Sequence, residues 1–210
     1  MGLLERKREQ MRASIIQAAT ELFTEQGYES TTIDDIVDRA NYSRSTFFRH
    51  FGAKEDVLFG DLPEHLVAMI EGLRELEDTG DFIGSVRETY RHALEAVLVT
   101  PELATEVVAL WFSVPALQRR YAESVLQAER LLTDIFAERM GQDPDTCIEA
   151  QVIAVAIIGV ARAALMARLS ESHSVVEVLD RGFDLIESGT RGSSLLTSTE
   201  HKHRQQNRAD

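Results

Sequence analysis

The segment from Thr31 to Phe51, TTIDDIVDRANYSRSTFFRHF, constrains the fold more than any other part of this chain. Apolar residues recur at helical spacing over about 33–40, and a second short helix is predicted over 44–51. A hydroxyl residue precedes each helix and is a preferred N-cap. Asn41 lies between them, and its short side chain tolerates the positive φ of a tight turn. The spacing predicts two short helices joined by a turn of three or four residues, the proportions of a helix-turn-helix.

The second of these helices has two chemically different faces. Phe47 and Phe51 are four residues apart, so they share one face, which we expect to pack on the preceding helices. The other face holds Arg44, Ser45, Phe48 and Arg49, with Thr46 near its edge. Such a face fits a DNA major groove, where arginine reads guanine and hydroxyls contact bases or phosphates. Short amphipathic helices with a few arginines are also ordinary surface helices, so periodicity alone leaves both interpretations open.

The rest of the chain is also predicted to be helical, which makes the fold class all-α. Only 4 Pro and 12 Gly interrupt 210 residues of which 44% are hydrophobic. We expect a helix over 11–26 that Gly27 ends, and a longer one from Lys54 that Pro63 bends or interrupts. Five more are expected over about 82–98, 101–112, 116–140, 144–170 and 174–188. The tail 190–210 has no periodicity and is expected to be disordered.

The net charge of −13 is unusual for a protein that contacts phosphates. The distribution of the charge makes DNA binding more plausible than the net charge suggests. Residues 1–54 hold 8 basic and 8 acidic residues, and all the excess acid lies in 55–210. Two local basic clusters stand out, Arg6, Lys7, Arg8 and Arg12 near the start and Arg44, Arg49 and Lys54 further on. Local patches decide whether a surface binds a phosphate backbone. Lys54 is expected to contact a phosphate, helped by the free N–H groups of the helix predicted to begin there.

The sequence also predicts the compartment. Cys147 is the single cysteine, so no internal disulfide forms, and its expected role is a packed small residue. The N-terminus lacks the apolar core of a signal peptide. The apolar run 147–169 contains Glu149, Gln151, Arg162 and Arg168, which is more charge than a membrane span usually carries. We expect a cytoplasmic protein without a cofactor. No metal is expected either, because the histidines are too widely spaced to form a ligand set.

The stretch from Arg12 to Leu58 resembles the N-terminal domain of the TetR/AcrR family of transcriptional regulators. The matching features are the IIQAATELFTEQGY helix, the TT pair, the I-V-x-x-A pattern, the S-x-x-T-F-F-R-H-F helix and the K-E pair, all at fixed spacing. The resemblance implies a tetR-type helix-turn-helix domain over 1–54, a ligand-binding and dimerisation domain over 55–189, and a tail over 190–210. DNA contacts are expected from Thr32, Tyr42, Ser43, Arg44, Ser45, Thr46, Phe48, Arg49, His50 and Lys54.

Three residues depart from the family pattern. Asn41 stands where the family usually has glycine, and Phe48 stands where tyrosine is common. Phe48 therefore lacks a phenol for a phosphate and is expected to pack on a sugar or a thymine methyl. Asp34 lies where a basic or polar residue is frequent, so no phosphate contact is assigned to it. These departures place most of the expected specificity on Arg44, Ser45 and Thr46.

The C-terminal part is expected to bind a ligand and to dimerise. The resemblance implies a homodimer in which the helices of about 144–170 and 174–188 form a four-helix bundle with those of a second copy. Their apolar stripes fit that role, and they fit core packing within the chain equally well. Region 112–169 is similar to the subgroup that includes the mycofactocin-system regulator, which implies an acyl-CoA-like effector. Ligand candidates are Arg87, Tyr90, Arg91, Trp111, Phe112, Tyr121, Arg162 and Met166, although core packing is the simpler role for each aromatic residue.

Arg162 leaves three interpretations open. It lies in an alanine-rich helix, where a buried charge needs a partner, so we expect a salt bridge, a contact across the dimer, or an anionic ligand. The expected function is that of a ligand-responsive repressor that binds a near-palindromic operator as a homodimer. A small helical enzyme is disfavoured because no catalytic motif is found. A helical adaptor that has lost DNA binding is the other alternative, suggested by Asp34, Phe48 and the net charge.

Overall fold

The computed structural model describes residues 2–77, 80–98, 104–170 and 173–190, and the regular elements within those ranges are all helical. The helices are α1 (Leu3–Gln26), α2 (Ile33–Ala40), α3 (Arg44–His50), α4 (Leu62–Gly72), α5 (Phe82–Val97), α6 (Thr105–Ser113), α7 (Pro115–Met140), α8 (Ile148–Ala167) and α9 (Val175–Thr190), with single 3₁₀ turns at Glu55–Leu58 and Leu73–Glu75. The all-α prediction is confirmed. The predicted tail, from residue 191 onward, lies outside the described residues, as do 101–103 of the helix predicted over 101–112.

The prediction of one longer helix from Lys54 is wrong, and of the two effects considered for Pro63 the structure shows an interruption and not a bend. The chain forms only the 3₁₀ turn Glu55–Leu58, and Gly60 then takes a φ of 56°, in the left-handed region that interrupts a helix. A new helix, α4, begins at Leu62 with Pro63 in its first turn. Proline is well tolerated there because the N–H it lacks would have no partner within the helix. Pro63 therefore marks the start of a helix.

The contacts of the chain divide it into two compact units, of which the first holds residues up to 65 together with 96–124. Its core includes Phe47, which is fully buried, and Trp111, which is 3% exposed. The Trp111 ring stacks on Phe59 with centroids 4.7 Å apart, and its Nε1 donates to the Leu58 carbonyl at 3.2 Å. Arg120 of α7 donates to Asp56 at 2.9 Å. Within this unit, α6 and α7 are thus joined to the 3₁₀ turn that follows α3.

The second unit holds residues 66–95 and those from 125 onward, with α8 packed on α9. Phe136 and Phe183 are fully buried in it. Gly182 of α9 lies so close to α8 that a Cβ built there would be 2.5 Å from a methyl carbon of Val160. This contact shows why glycine stands at that position in α9.

Helix α8 has one buried face and one exposed apolar face. Ile153 and Ile157 are buried, whereas Ile148, Val152 and Val155 are 68%, 61% and 55% exposed. By length and composition α8 is long and apolar enough to cross a membrane, and it is the one such helix in the part of the chain that the structure describes. The charged residues of this region therefore do not by themselves exclude a membrane span, contrary to the expectation from the sequence. Packing against α9 buries the inner face of α8. The outer face borders a 740 Å³ groove between α8 and α9.

Candidate nucleic-acid interface and ligand residues

The N-terminus of α2 is fixed by a reciprocal cap. The Thr32 hydroxyl accepts from the Asp35 backbone N–H at 3.2 Å, and the Asp35 carboxylate accepts from the Thr32 N–H at 2.8 Å. Hydrogen bonds from the Thr32 side chain and backbone hold the pKa of Asp35 below its usual value. At the other end Asn41 takes φ 59° and ψ 46°, as the sequence predicted for a tight turn, and the half-buried Tyr42 follows it.

Helix α3 is anchored by its apolar face. Ser43 caps it by accepting from the Thr46 N–H at 3.1 Å, and Phe47 and Phe51 are buried. The opposite face is exposed at Arg44, Ser45, Phe48 and Arg49, with Thr46 half-buried at its edge. This division matches the one predicted from the spacing of the phenylalanines. A short helix with a buried back and this polar front has the size and chemistry to enter a major groove.

Arg44 is paired with Asp34 across the turn, a contact that the sequence did not predict. The Nη1 atom of Arg44 donates to both carboxylate oxygens of Asp34 at 2.8 Å. The Arg44 guanidinium carbon lies 5.7 Å from the centre of the Phe48 ring. All three side chains are about half exposed. The two residues that depart from the family pattern in α2 and α3 thus both contact the arginine.

Lys54 faces the interior of the helix-turn-helix region. Its Nζ atom donates to the backbone carbonyls of Tyr28 and Thr31 at 2.7 and 2.8 Å and lies 4.0 Å from the centre of the Tyr28 ring. The Tyr28 hydroxyl donates to Glu55 at 3.2 Å. Burial, followed by the charge of Glu55, raises the pKa of Tyr28. These contacts connect the segment after α1 to the segment after α3, a role that no local sequence signal distinguishes from a phosphate contact.

The basic residues near the end of α3 are closely spaced. Arg49 donates through Nε to Nε2 of His50 at 3.2 Å. Burial first, and then the positive charges of Arg49, Arg8 and Arg12, lower the pKa of His50. Arg12 is 6% exposed and pairs with Asp61 at 2.9 Å, so it belongs to the core more than to a surface cluster. The exposed cations of α1 are Arg6, Lys7 and Arg8.

Three of the candidate ligand residues lie in the first unit. Trp111 is buried, Phe112 and Tyr121 are half-buried, and Tyr121 lies 6.2 Å from Trp111 and 5.2 Å from Phe112 between ring centroids. The Nε1 group of Trp111 is already bonded to a backbone carbonyl, as described above. These aromatic residues pack together within the unit, which agrees with the core-packing role predicted from the sequence as the simpler alternative to ligand binding.

Three others lie on α5 in the second unit. Arg87 and Arg91 are one turn apart, and both border a 640 Å³ groove. Arg87 donates to Asp180 at 3.1 Å and to Asp184 at 2.7 Å, and Arg91 also donates to Asp180. Tyr90 is 5% exposed, and its hydroxyl has no hydrogen-bond partner among the described residues. Burial raises the pKa of Tyr90.

The last two candidates lie on the outer surface of α8. Arg162 is exposed, so the premise that it is a buried charge is wrong for the single chain. Met166 is 40% exposed. The eight ligand candidates therefore fall into two units, and the three on α5 and the two on α8 belong to the second.

A capped, tightly turned pair of short helices with an exposed arginine-bearing face defines a helix-turn-helix regulator. Comparison with known proteins specifies the family. Residues 15–59 match the model of bacterial regulatory proteins of the tetR family, and residues 81–191 match the MftR C-terminal domain. The chain belongs to the TetR family and is a DNA-binding transcription regulator with an MftR-type C-terminal domain. The family and its relatives are regulators of transcription and not enzymes.

Individual relatives agree with this assignment. A Mycobacterium tuberculosis protein named as the mycofactocin biosynthesis transcriptional regulator MftR is 30% identical, over 83% of this chain and 88% of its own. The regulator TcmR of Streptomyces glaucescens is 28% identical over 87% and 84%. A solved structure of Thermus thermophilus FadR, in complex with lauroyl-CoA, has a TM-score of 0.54 at 22% identity, over 85% of this chain and 94% of that one. The structural likeness shows a shared fold.

Proposed function

We propose that this regulator is a homodimeric repressor that binds a near-palindromic operator and is released by a small amphiphilic ligand, in the cytoplasm. The observation that carries the DNA-binding part is the exposed front of α3, held by a buried phenylalanine back. Its base-reading residues are Arg44, Ser45, Thr46 and Phe48, and the supporting contacts come from Thr32, Tyr42, Ser43, Arg49, His50 and Lys54. Two copies of α3, related by a dimer axis, fit successive major grooves about 34 Å apart.

The DNA-binding part is tested by selecting bound duplexes from a random-sequence library with the wild-type protein. We expect a site with two related half-sites, and Arg44→Ala should weaken binding to it by at least about tenfold (about 1.4 kcal/mol). Affinity should fall as the salt concentration rises, with a slope set by the number of phosphates that the basic residues contact. Selection that enriches no sequence would instead support an adaptor that has lost DNA binding.

Repression is tested separately in cells. Deleting the gene should raise transcription of the gene that adjoins the selected operator. Lowered transcription would make the protein an activator.

The proposed dimer rests on the outer face of α8 and α9. Ile148, Val152 and Val155 are exposed at spacings of four and three residues. Val152 and Leu185 of α9, which is 70% exposed, both line the groove between α8 and α9. An apolar stripe of this length on a monomer marks an interaction surface. Val155→Asp should convert a dimer into a monomer in analytical ultracentrifugation. Glu177→Gln, an exposed change elsewhere on α9, is the control and should leave the mass unchanged.

The proposed effector is acyl-CoA-like or a similar amphiphile with an anionic head. Support comes from the MftR-type C-terminal domain and from the pair Arg87 and Arg91 beside a groove, because arginine suits phosphate and carboxylate groups. The buried hydroxyl of Tyr90, which has no hydrogen-bond partner in the described part of the chain, lies on the same helix. The aromatic residues Trp111, Phe112 and Tyr121, together with Arg162 and Met166, remain candidates for contacts to the rest of the ligand.

The effector is tested with dodecanoyl-CoA as the probe on the complex of the protein with its selected operator. We expect dodecanoyl-CoA to release the DNA, whereas coenzyme A alone and dodecanoate alone release it far less. Arg91→Ala should raise the concentration needed for release and leave operator affinity unchanged. No release at any concentration that keeps the protein monodisperse would contradict the assignment of this ligand class.

A further inference from the structure

The pairing of Asp34 with Arg44 has a consequence for how the operator is read. We propose that Asp34 is a positioning and specificity-determining residue, which holds Arg44 in the orientation that reads a guanine and keeps it from binding the phosphate backbone. This proposal rests on the proposed function, because it assumes that α3 enters a major groove.

The geometry of the Arg44 guanidinium supports this role. Both oxygens of Asp34 accept from Nη1 of Arg44 at 2.8 Å. The guanidinium carries five N–H groups, of which Nε–H and one N–H of Nη2 form the edge away from Nη1. That edge presents two parallel donors, which is the arrangement that matches O6 and N7 of guanine. Asp34 thus engages one nitrogen and leaves the base-reading fork available.

The Phe48 ring lies on a second side of Arg44. The Phe48 ring, 49% exposed, lies 5.7 Å from the guanidinium carbon of Arg44. Arg44 therefore has two neighbours, the carboxylate on α2 and the aromatic ring on α3, and both contacts favour the orientation that makes them. An arginine on an exposed helix otherwise samples many rotamers, and fixing them before binding lowers the entropy lost in the complex.

The pair of Asp34 and Arg44 acts in two environments, water in the free protein and the DNA groove in the complex. In the free protein both partners are more than half exposed, so the ion pair contributes little to folding. In a groove, with water displaced, the same pair interacts more strongly. A carboxylate on this surface also repels phosphates, so it weakens binding to every DNA sequence while favouring the one that supplies a guanine. Asp34 therefore raises the ratio of specific to non-specific affinity.

The experiment compares Asp34→Asn with Asp38→Asn. Asp38 is exposed one turn further along α2, on the same face, so its variant removes the same charge from the same helix without removing the partner of Arg44. Each protein is titrated with the duplex selected by the wild type and with a shuffled duplex of equal composition, at fixed salt. Thermal melts without DNA show that each variant is folded.

We expect Asp34→Asn to bind the selected duplex about tenfold more weakly and the shuffled duplex more tightly, whereas Asp38→Asn binds both somewhat more tightly. In an Arg44→Ala background, Asp34→Asn should no longer weaken binding to the selected duplex. Library selection with Asp34→Asn should relax the guanine preference at one base pair of each half-site.

Two results would overturn the proposal. One is that Asp34→Asn tightens binding to both duplexes as Asp38→Asn does, which would reduce Asp34 to a repelling charge. The other is a structural effect of the substitution. It would appear as weaker binding to both duplexes, or as an equal weakening of binding to the selected duplex when Arg44 is replaced by alanine. If the wild type selects no sequence at all, the proposed function fails instead, and the two failures are therefore distinct.

Discussion

Replacing Gly182 by alanine should destabilise the protein, although alanine is the better helix former. A Cβ at this position would lie 2.5 and 2.6 Å from the two methyl carbons of Val160 and 3.1 Å from its Cβ. Carbon atoms that are not bonded to each other prefer to be about 3.5–4.0 Å apart, so the helices must separate by about 1 Å. Valine has one strongly preferred rotamer in a helix, so it cannot turn both methyl groups away.

The magnitude follows from two opposing effects. Overpacking of this kind costs about 1–3 kcal/mol, and replacing glycine by alanine within a helix gains up to about 1 kcal/mol. The expected net loss is about 1–2 kcal/mol, which lowers Tm by roughly 2–8 °C in a chain of this size. Gly189→Ala in the same helix is the control, because a Cβ there meets nothing within 4 Å. It should leave Tm unchanged or raise it.

The assay is thermal unfolding followed by circular dichroism, at one protein concentration for all variants because a dimer melts in a concentration-dependent way. Val160→Ala combined with Gly182→Ala should recover part of the lost stability, since it removes the two methyl groups that clash. If Gly182→Ala melts as high as Gly189→Ala, the close approach of α8 and α9 at this position is refuted.

Three further predictions concern the helix-turn-helix region. Asn41→Ala should lower the free energy of unfolding by about 1 kcal/mol, because alanine tolerates positive φ less well than asparagine. Asn41→Gly should not lower it. Equal midpoints of urea unfolding for the two variants would contradict this prediction. The lowered pKa of His50 means that the unfolded chain binds its proton first as pH falls below about 6.5, so wild-type stability should fall with decreasing pH in that range. His50→Gln should have a smaller difference in Tm between pH 7.5 and 5.5, and identical differences would refute the assignment. Lys54→Met should lower the free energy of unfolding by about 1–3 kcal/mol in the absence of DNA, because it removes the hydrogen bonds to the carbonyls of Tyr28 and Thr31. A thermal melt like that of the wild type would show that Lys54 acts only on DNA.

Short-range chemistry made much of this fold predictable. The faces of α3, the positive φ of Asn41 and the caps of α2 and α3 all depend on residues within four positions of one another. Helical spacing and capping act at that range, so the sequence displays them directly. The break after Lys54 is less predictable, because Pro63 alone does not distinguish a bend from an interruption, and the positive φ of Gly60 that ends the first element is seen only in the structure.

The sequence alone therefore determined the helix-turn-helix, the all-α class and the residues of its exposed front. Only the tertiary structure decided what those residues contact. Asp34 meets Arg44 because the turn sets the angle between α2 and α3, and Lys54 reaches two carbonyls more than 20 residues away because α1 packs against the segments after it. Gly182 is required because Val160, on another helix, lies against it. Each of these contacts depends on how helices pack, and the period of a single helix carries no information about the side chain that packing places beside it.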